Sequence, residues 1–317
     1  MKPLIYSYPP KQNEVIPSFQ PFTGLKAAFR PRFQQKSIAR RDKIIQANRD
    51  LEDISMVFSK IWNRQPQEYE PDLWLFGNEK DGDSFDEKDI VSWQDGRFEH
   101  SFLTDELLNN AVSRKLIDEI MSNRKPYVDL ACGPGMGLIP TVKKICSEIP
   151  CLATDANARL IKEWKKWLCG KNMNSGIEFA QFSLFDIPIK DCAVNAYGGF
   201  LPVSSTRYGS NGYDNALSEI FRTLATKGRL CAIESEWLDV PSILKVFERS
   251  SIRPWDCFLE EQKTWHERFA EHGFKILSEE LYLNRTLNRD DNELGRAAEN
   301  LGVSVEMQLN AYIVEKA

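Results

Sequence analysis

Between Tyr127 and Leu138 the chain reads Tyr-Val-Asp-Leu-Ala-Cys-Gly-Pro-Gly-Met-Gly-Leu, an apolar run with one acid that ends in alternating glycines. A strand that enters a helix through such a turn can bring backbone N–H groups close to a ligand, because no Cβ stands in the way. Gly133 and Gly135 form the turn, Ala131 precedes it, and Asp129 is the acid ahead of it. A dinucleotide fingerprint, G-x-G-x-x-G, needs a third glycine where Leu138 stands, which weighs against a nicotinamide cofactor and hydride chemistry. Further on, Asp155 closes a second apolar stretch and is followed by Ala156 and Asn157. A carboxylate at a strand end can accept both hydroxyls of a ribose. The competing expectation is that Asp155 or Asn157 caps the next helix.

These residues need a scaffold, and the pattern from residue 104 onward supplies one. Thr104 before Asp105 and Glu106 reads as a helix N-cap, with Leu107, Leu108, Ala111, Val112, Leu116, Ile117, Ile120 and Met121 as one apolar stripe. Strands are then expected at 127–131, 150–154, 177–182, 192–197 and 229–234, with helices at 136–148, 157–169 and 213–225. A helix at 258–272, a strand at 274–283, a helix at 290–301 and a strand at 305–314 complete the reading. Strands alternating with helices imply an α/β fold, a mostly parallel sheet covered on both faces.

The ordered elements resemble the class I S-adenosylmethionine-dependent methyltransferases. Asp129, Ala131, Gly133 and Gly135 match that family's D/E-x-G-x-G-x-G motif, with Ala at the first glycine. Asp155 matches its ribose-binding acid. Phe182-Ser-Leu-Phe-Asp-Ile-Pro resembles the segment whose early Asp faces the adenine amino group; aligned on Pro188, that position is Ser183, followed by Leu184, and Asp186 comes three residues later. The family's Asp at the start of the fourth strand becomes Asn195, and Ala216 to Glu234 resembles its helix-turn-strand. The resemblance covers roughly residues 104–317 and implies a doubly wound, Rossmann-like sheet of seven strands. It also implies S-adenosyl-L-methionine as cofactor, S-adenosyl-L-homocysteine as product, and Asp129, Ala131, Gly133, Gly135, Asp155, Ala156, Ser183, Leu184 and Asn195 as the cofactor site.

Methyl transfer from a sulfonium is an in-line displacement on an electrophile that is already activated, so the family carries no universal catalytic residue. Positioning and water exclusion are what the protein must supply. Acceptor contacts are expected beyond the carboxyl ends of the strands. Arg207 and Tyr208 lie in the long loop after the fourth strand, and Glu236 follows the fifth. Trp74, Trp93, His100 and Phe102 of the N-terminal region either close as a lid or form a satellite core. The Asn/Asp-Pro-Pro-aromatic tetrad of amino-methylases is absent, since Asn195 is followed by Ala-Tyr-Gly, and the only Pro-Cys pair, Pro150-Cys151, begins a strand away from the site. A small-molecule acceptor methylated at O or N is therefore the expectation, with DNA set aside and RNA or protein acceptors left open.

Residues 1–103 match no motif and read as an N-terminal extension, mainly helical and irregular, before a methyltransferase domain at 104–317. Residues 38–64 carry helical spacing, and 66–103 read as irregular. Residues 1–50 hold ten Lys or Arg against Glu14, Asp42 and Asp50, a charge of +7 within a chain of net −5. A non-catalytic scaffold whose basic arm binds RNA or an acidic protein is the alternative. Seven cysteines without a C-x-x-C pair and only three histidines argue against a disulfide framework or a zinc site. No run of about 20 apolar residues suits a membrane span, and no cleavable apolar segment follows Met1, so a cytoplasmic protein is expected.

Overall fold

The computed structural model describes residues 58–77, 90, 94, 102–122, 126–209 and 211–317. Three strands and two helices, β3 (Tyr127–Asp129), α3 (Ile139–Ile145), β4 (Cys151–Asp155), α4 (Ala158–Gly170) and β5 (Ile177–Gln181), wind away from the centre in one direction. In the other direction β6 (Val194–Phe200) crosses through α5 (Gly212–Thr223) to β7 (Leu224–Trp237). Right-handed crossovers running opposite ways place their helices on opposite faces of the sheet. α6 (Val240–Arg249), α7 (Trp265–Glu271), β8 (Phe274–Thr286), α8 (Glu293–Asn300) and β9 (Glu306–Lys316) follow.

β5, β4, β3, β6 and β7 are parallel, and β9 inserts antiparallel between β7 and β8. Beyond β5 the sheet gains two strands that the seven-strand expectation did not include. β1 (Glu68–Glu70) and β2 (Leu73–Leu75) form a hairpin, with β2 running parallel to β5. Among the described residues the sheet therefore has nine strands, and this part of the N-terminal extension belongs to it. Trp62 packs on Trp74 and Phe76 with ring centroids 5.3 and 4.7 Å apart, and Trp74 belongs to the hydrophobic core that continues into the sheet, not to a separate satellite. The expected helix over 38–64 lies outside the described residues up to 57, and the chain has left helix by Trp62, which bridges to Ile189.

Three further differences have local causes. The helix expected from 104 is two, α1 (Phe102–Asn109) and α2 (Ala111–Met121), because the Asn110 side chain accepts the N–H groups of Val112 and Ser113 and caps a new start. The expected helix at 258–272 divides into a 3-10 turn, Phe258–Gln262, and α7, which begins at a Thr264/Glu267 capping box. Helix α6 went unread, although Asp239 accepts the Ser242 N–H, Pro241 stands in the first turn, and Val240, Ile243, Val246 and Phe247 are buried. Among the described residues no helix is long and apolar enough to cross a membrane.

Glu178 in β5 is a cost carried by this hairpin. It is 2% exposed and neither carboxylate oxygen has a hydrogen-bond partner among the described residues. Burial, then the nearby Asp72, push its carboxyl up to about 9 from an ordinary 4.5. Between those values an unfolded chain is ionised while the folded one holds its proton, so the group's contribution to stability falls as pH rises. Glu178→Gln should therefore gain on the wild type as pH rises from 5 to 9, by up to about 1.4 kcal/mol per pH unit. Urea unfolding at three pH values checks this, and a pH-independent difference would refute it.

Candidate functional site

Every parallel strand of the central group points its carboxyl end at the same edge of the molecule, and the glycine turn lies there. The turn is a succession of left-handed residues, with Ala131 at φ 46°, Gly133 at 57°, Met136 at 54° and Gly137 at 51°. L-residues pay about 1–2 kcal/mol for that region, so something must hold the turn in shape. Asp129, fully buried, does so. Its Oδ2 accepts the Tyr127 hydroxyl at 2.6 Å and the Leu138 N–H at 2.8 Å. Burial and the Asp129 charge raise the Tyr127 pKa, so its hydroxyl stays a donor. The Cys132 N–H donates to the Thr154 carbonyl and the Gly137 N–H to the Cys132 carbonyl, closing the turn.

Gly137, which carries no expected role, is required by the turn. A Cβ there would lie 2.0 Å from the Asp129 Oδ1. Asp129 thus packs against the turn and shapes it. Leu138, where a dinucleotide site needs glycine, is fully buried with its N–H spent on Asp129.

Asp155 ends β4 half-buried. Its Oδ2 accepts the Gly133 N–H and its Oδ1 the Asn157 N–H, both at 2.9 Å. The capping role falls to Asn157, whose Oδ1 accepts the Leu160 N–H at 3.0 Å. These two backbone donors aim the Asp155 carboxylate, one from the turn and one from the start of the next helix. Next to it stands a residue the sequence reading passed over. Gln181, fully buried at the end of β5, donates to the Ala156 carbonyl at 3.0 Å and accepts the Gly77 N–H at 2.8 Å. It ties the N-terminal hairpin to the loop after β4. A polar residue closing the apolar run Ile177–Gln181 was the available signal.

Of the two oxygens weighed for the segment after β5, Asp186 is taken. Arg64 binds it at 2.9 and 2.7 Å, and that hydrogen bond holds its carboxyl below the usual range. Ser183 accepts the Phe185 N–H at 3.2 Å and is only partly buried, while Leu184 is buried beside it.

Asn195 is misplaced as a cofactor residue. It lies at the amino end of β6, ahead of Ala196, which pairs with Tyr127 at the start of β3, so the length of the sheet separates it from the turn. There it lines a cavity of about 190 Å³ with Glu119, Thr226, Lys227, Arg229 and Glu315. Arg207 is also corrected, since it is 1% exposed and built into the protein. Its Nε donates to the Ser204 carbonyl at 2.8 Å and Nη2 to the Ser235 hydroxyl at 2.6 Å, and its guanidinium lies 5.6 and 5.4 Å from the Trp237 and Trp255 rings. Tyr208 is half-buried on the same 3-10 turn, Ser204–Tyr208. Glu236 accepts from the side-chain amides of Gln308 and Asn310 at 2.7 and 3.1 Å. His100 and Trp93 lie outside the described residues, as does the side chain of Phe102.

No family model and no curated protein matches the chain. Solved structures do resemble it. The MccD protein is 17% identical with a TM-score of 0.46, over 66% of this chain and 99% of that one. Geranyl diphosphate C-methyltransferase from Streptomyces coelicolor, in complex with Mg2+, geranyl diphosphate and S-adenosyl-L-homocysteine, is 12% identical with a TM-score of 0.46, over 84% and 98%. The YcgJ protein from Bacillus subtilis is 13% identical with a TM-score of 0.42, over 64% and 97%. At these identities the likeness is one of fold.

Gly137→Ala should destabilise the protein by about 1–2 kcal/mol from the left-handed backbone alone, with the contact on Asp129 adding to it. Thermal unfolding of the purified variant checks this. An unchanged midpoint would show that Asp129 does not hold the turn as described.

Proposed function

We propose that the carboxyl-end site binds S-adenosyl-L-methionine and that the protein transfers its methyl group to a small-molecule acceptor, at O or N. The observation that carries this reading is the Asp155 carboxylate, aimed by the Gly133 N–H so that ribose recognition and the glycine turn form one unit. Asp155 would receive the ribose hydroxyls, and the backbone of Gly133 to Gly135 would lie along the amino-acid portion. Ala156, Leu184 and Ser183 would border the adenine, with the Gln181 bond to the Ala156 carbonyl fixing one wall. When bound, the cofactor supplies an activated methyl on a sulfonium.

The residues of this chain then have to orient an acceptor and keep water from it. The loop after β6, from Phe200 to Gly209, and the end of β7 are the elements placed to do so, with Tyr208 and Glu236 as their acceptor-facing polar groups. Arg207 supports that loop from behind. A neutral oxygen or nitrogen nucleophile needs its proton removed at or after transfer, and Glu236 is a partly exposed carboxylate at the end of β7.

Calorimetric titration of S-adenosylhomocysteine, with NAD as control, tests the reading. Wild type should bind the former and not the latter, and Asp155→Ala should weaken binding about ten- to a hundredfold, roughly 1.5–3 kcal/mol. Binding of NAD in preference, or no binding of S-adenosylhomocysteine at millimolar concentration, would refute it.

A further inference from the structure

Glu234 stands in the last apolar stretch of β7, after Leu230-Cys-Ala-Ile233, and is fully buried. Its carboxylate closes on the loop that follows β6. Oε1 accepts the Val203 N–H at 3.0 Å, and Oε2 accepts the Ser204 N–H at 2.8 Å and the Ser204 hydroxyl at 2.6 Å. The Ser204 hydroxyl in turn accepts the Ser235 N–H at 3.0 Å. Three donors thus converge on one carboxylate from the first turn of the segment that carries Arg207 and Tyr208. Arg207 is the charged group that faces it, and Tyr208, Tyr213 and Glu261 face Arg207.

We propose that Glu234 is a positioning residue that sets the acceptor loop in place only when its carboxylate is ionised, so that the loop tightens as pH rises. The proposal rests on the reading of this loop as an acceptor wall. The geometry gives the reason. Two backbone N–H groups and a hydroxyl all donate toward the side chain, so a proton on Glu234 adds a fourth donor where only acceptors are wanted. The Ser204 hydroxyl alone can rotate to receive it, and in doing so gives up its own bond to Oε2. Burial raises the Glu234 carboxyl to about 7, against the lowering effect of its three hydrogen bonds and of Arg207, so the change falls near neutrality. Lifting the loop removes three donors that lower the Glu234 carboxyl while the residue stays in β7, so the lifted state holds its proton to higher pH and ionisation favours the closed loop. Against the unfolded chain, where the carboxyl is hydrated, the sign is opposite. A folded-state value above the ordinary 4.5 means that the group's contribution to stability is full below 4.5 and is lost as pH rises through about 7. The clamp closes where that contribution is lowest.

Amide hydrogen exchange over residues 201–209 of the full chain, at pH 6 and pH 8 and corrected for intrinsic rates, reads the clamp directly. Wild type should become about tenfold more protected at pH 8, and Glu234→Gln should show no such step. Ser204→Ala keeps the carboxylate but removes a donor, and should move the midpoint of the step to higher pH. It serves as the second probe if Glu234→Gln does not fold. A wild type whose protection does not rise with pH, or a step unmoved in Ser204→Ala, would overturn the proposal. Titration of S-adenosylhomocysteine into the same samples separates the two readings. A pH step without cofactor binding sinks the proposed function and leaves the clamp standing; binding without a step does the reverse.

Discussion

Asp129 is fully buried at the end of the central strand, and both the turn and the site depend on where its carboxylate points. It receives one hydroxyl from its own strand and one backbone N–H from beyond the turn, which returns the chain to within hydrogen-bonding distance of its starting point. The return path passes so close that only a residue without Cβ fits at 137. With the turn closed in this way, the Gly133 N–H faces Asp155 on the neighbouring strand, and two strand ends become one surface. A buried carboxylate is costly unless its acceptor sites are used, and here its use is to hold a strained turn.

A second constraint ties the N-terminal hairpin to that surface. Strand β2 extends the sheet past β5, and Gln181 at the end of β5 binds the Gly77 N–H on one side and the Ala156 carbonyl on the other. Residues 62–77 are therefore structural neighbours of the loop after β4, with Trp62, Trp74 and Phe76 as their anchor. On the other flank Glu234 plays the comparable part for the loop after β6. The two flanks of the carboxyl edge are each fixed by a buried polar side chain, Gln181 at the end of β5 and Glu234 near the end of β7.

What the sequence revealed and what it hid divide along physical lines. The glycine turn, Asp155 and the alternation of strands and helices were legible because they rest on local spacing and on the conformational freedom of glycine. The break at Asn110 was readable in principle, since its side chain caps at short range, but the apolar stripe on either side concealed it. Arg207 misled because a cation in a polar loop is ordinarily solvated, whereas Trp237 and Trp255, distant in sequence, enclose it. Asn195 was misassigned because a strand's start and end look alike in sequence while facing opposite edges of the sheet. The hairpin β1–β2 was missed because three-residue strands lack any sustained alternation.

The most direct test of the account is a crystal structure with S-adenosylhomocysteine bound. The ribose hydroxyls should lie within hydrogen-bonding distance of Asp155, the homocysteine chain should run along Gly133 to Gly135, and the Asp129 bonds to Tyr127 and Leu138 should be unchanged. A ligand bound at the amino-end cavity beside Asn195, or at the carboxyl edge without contact to Asp155, would contradict it.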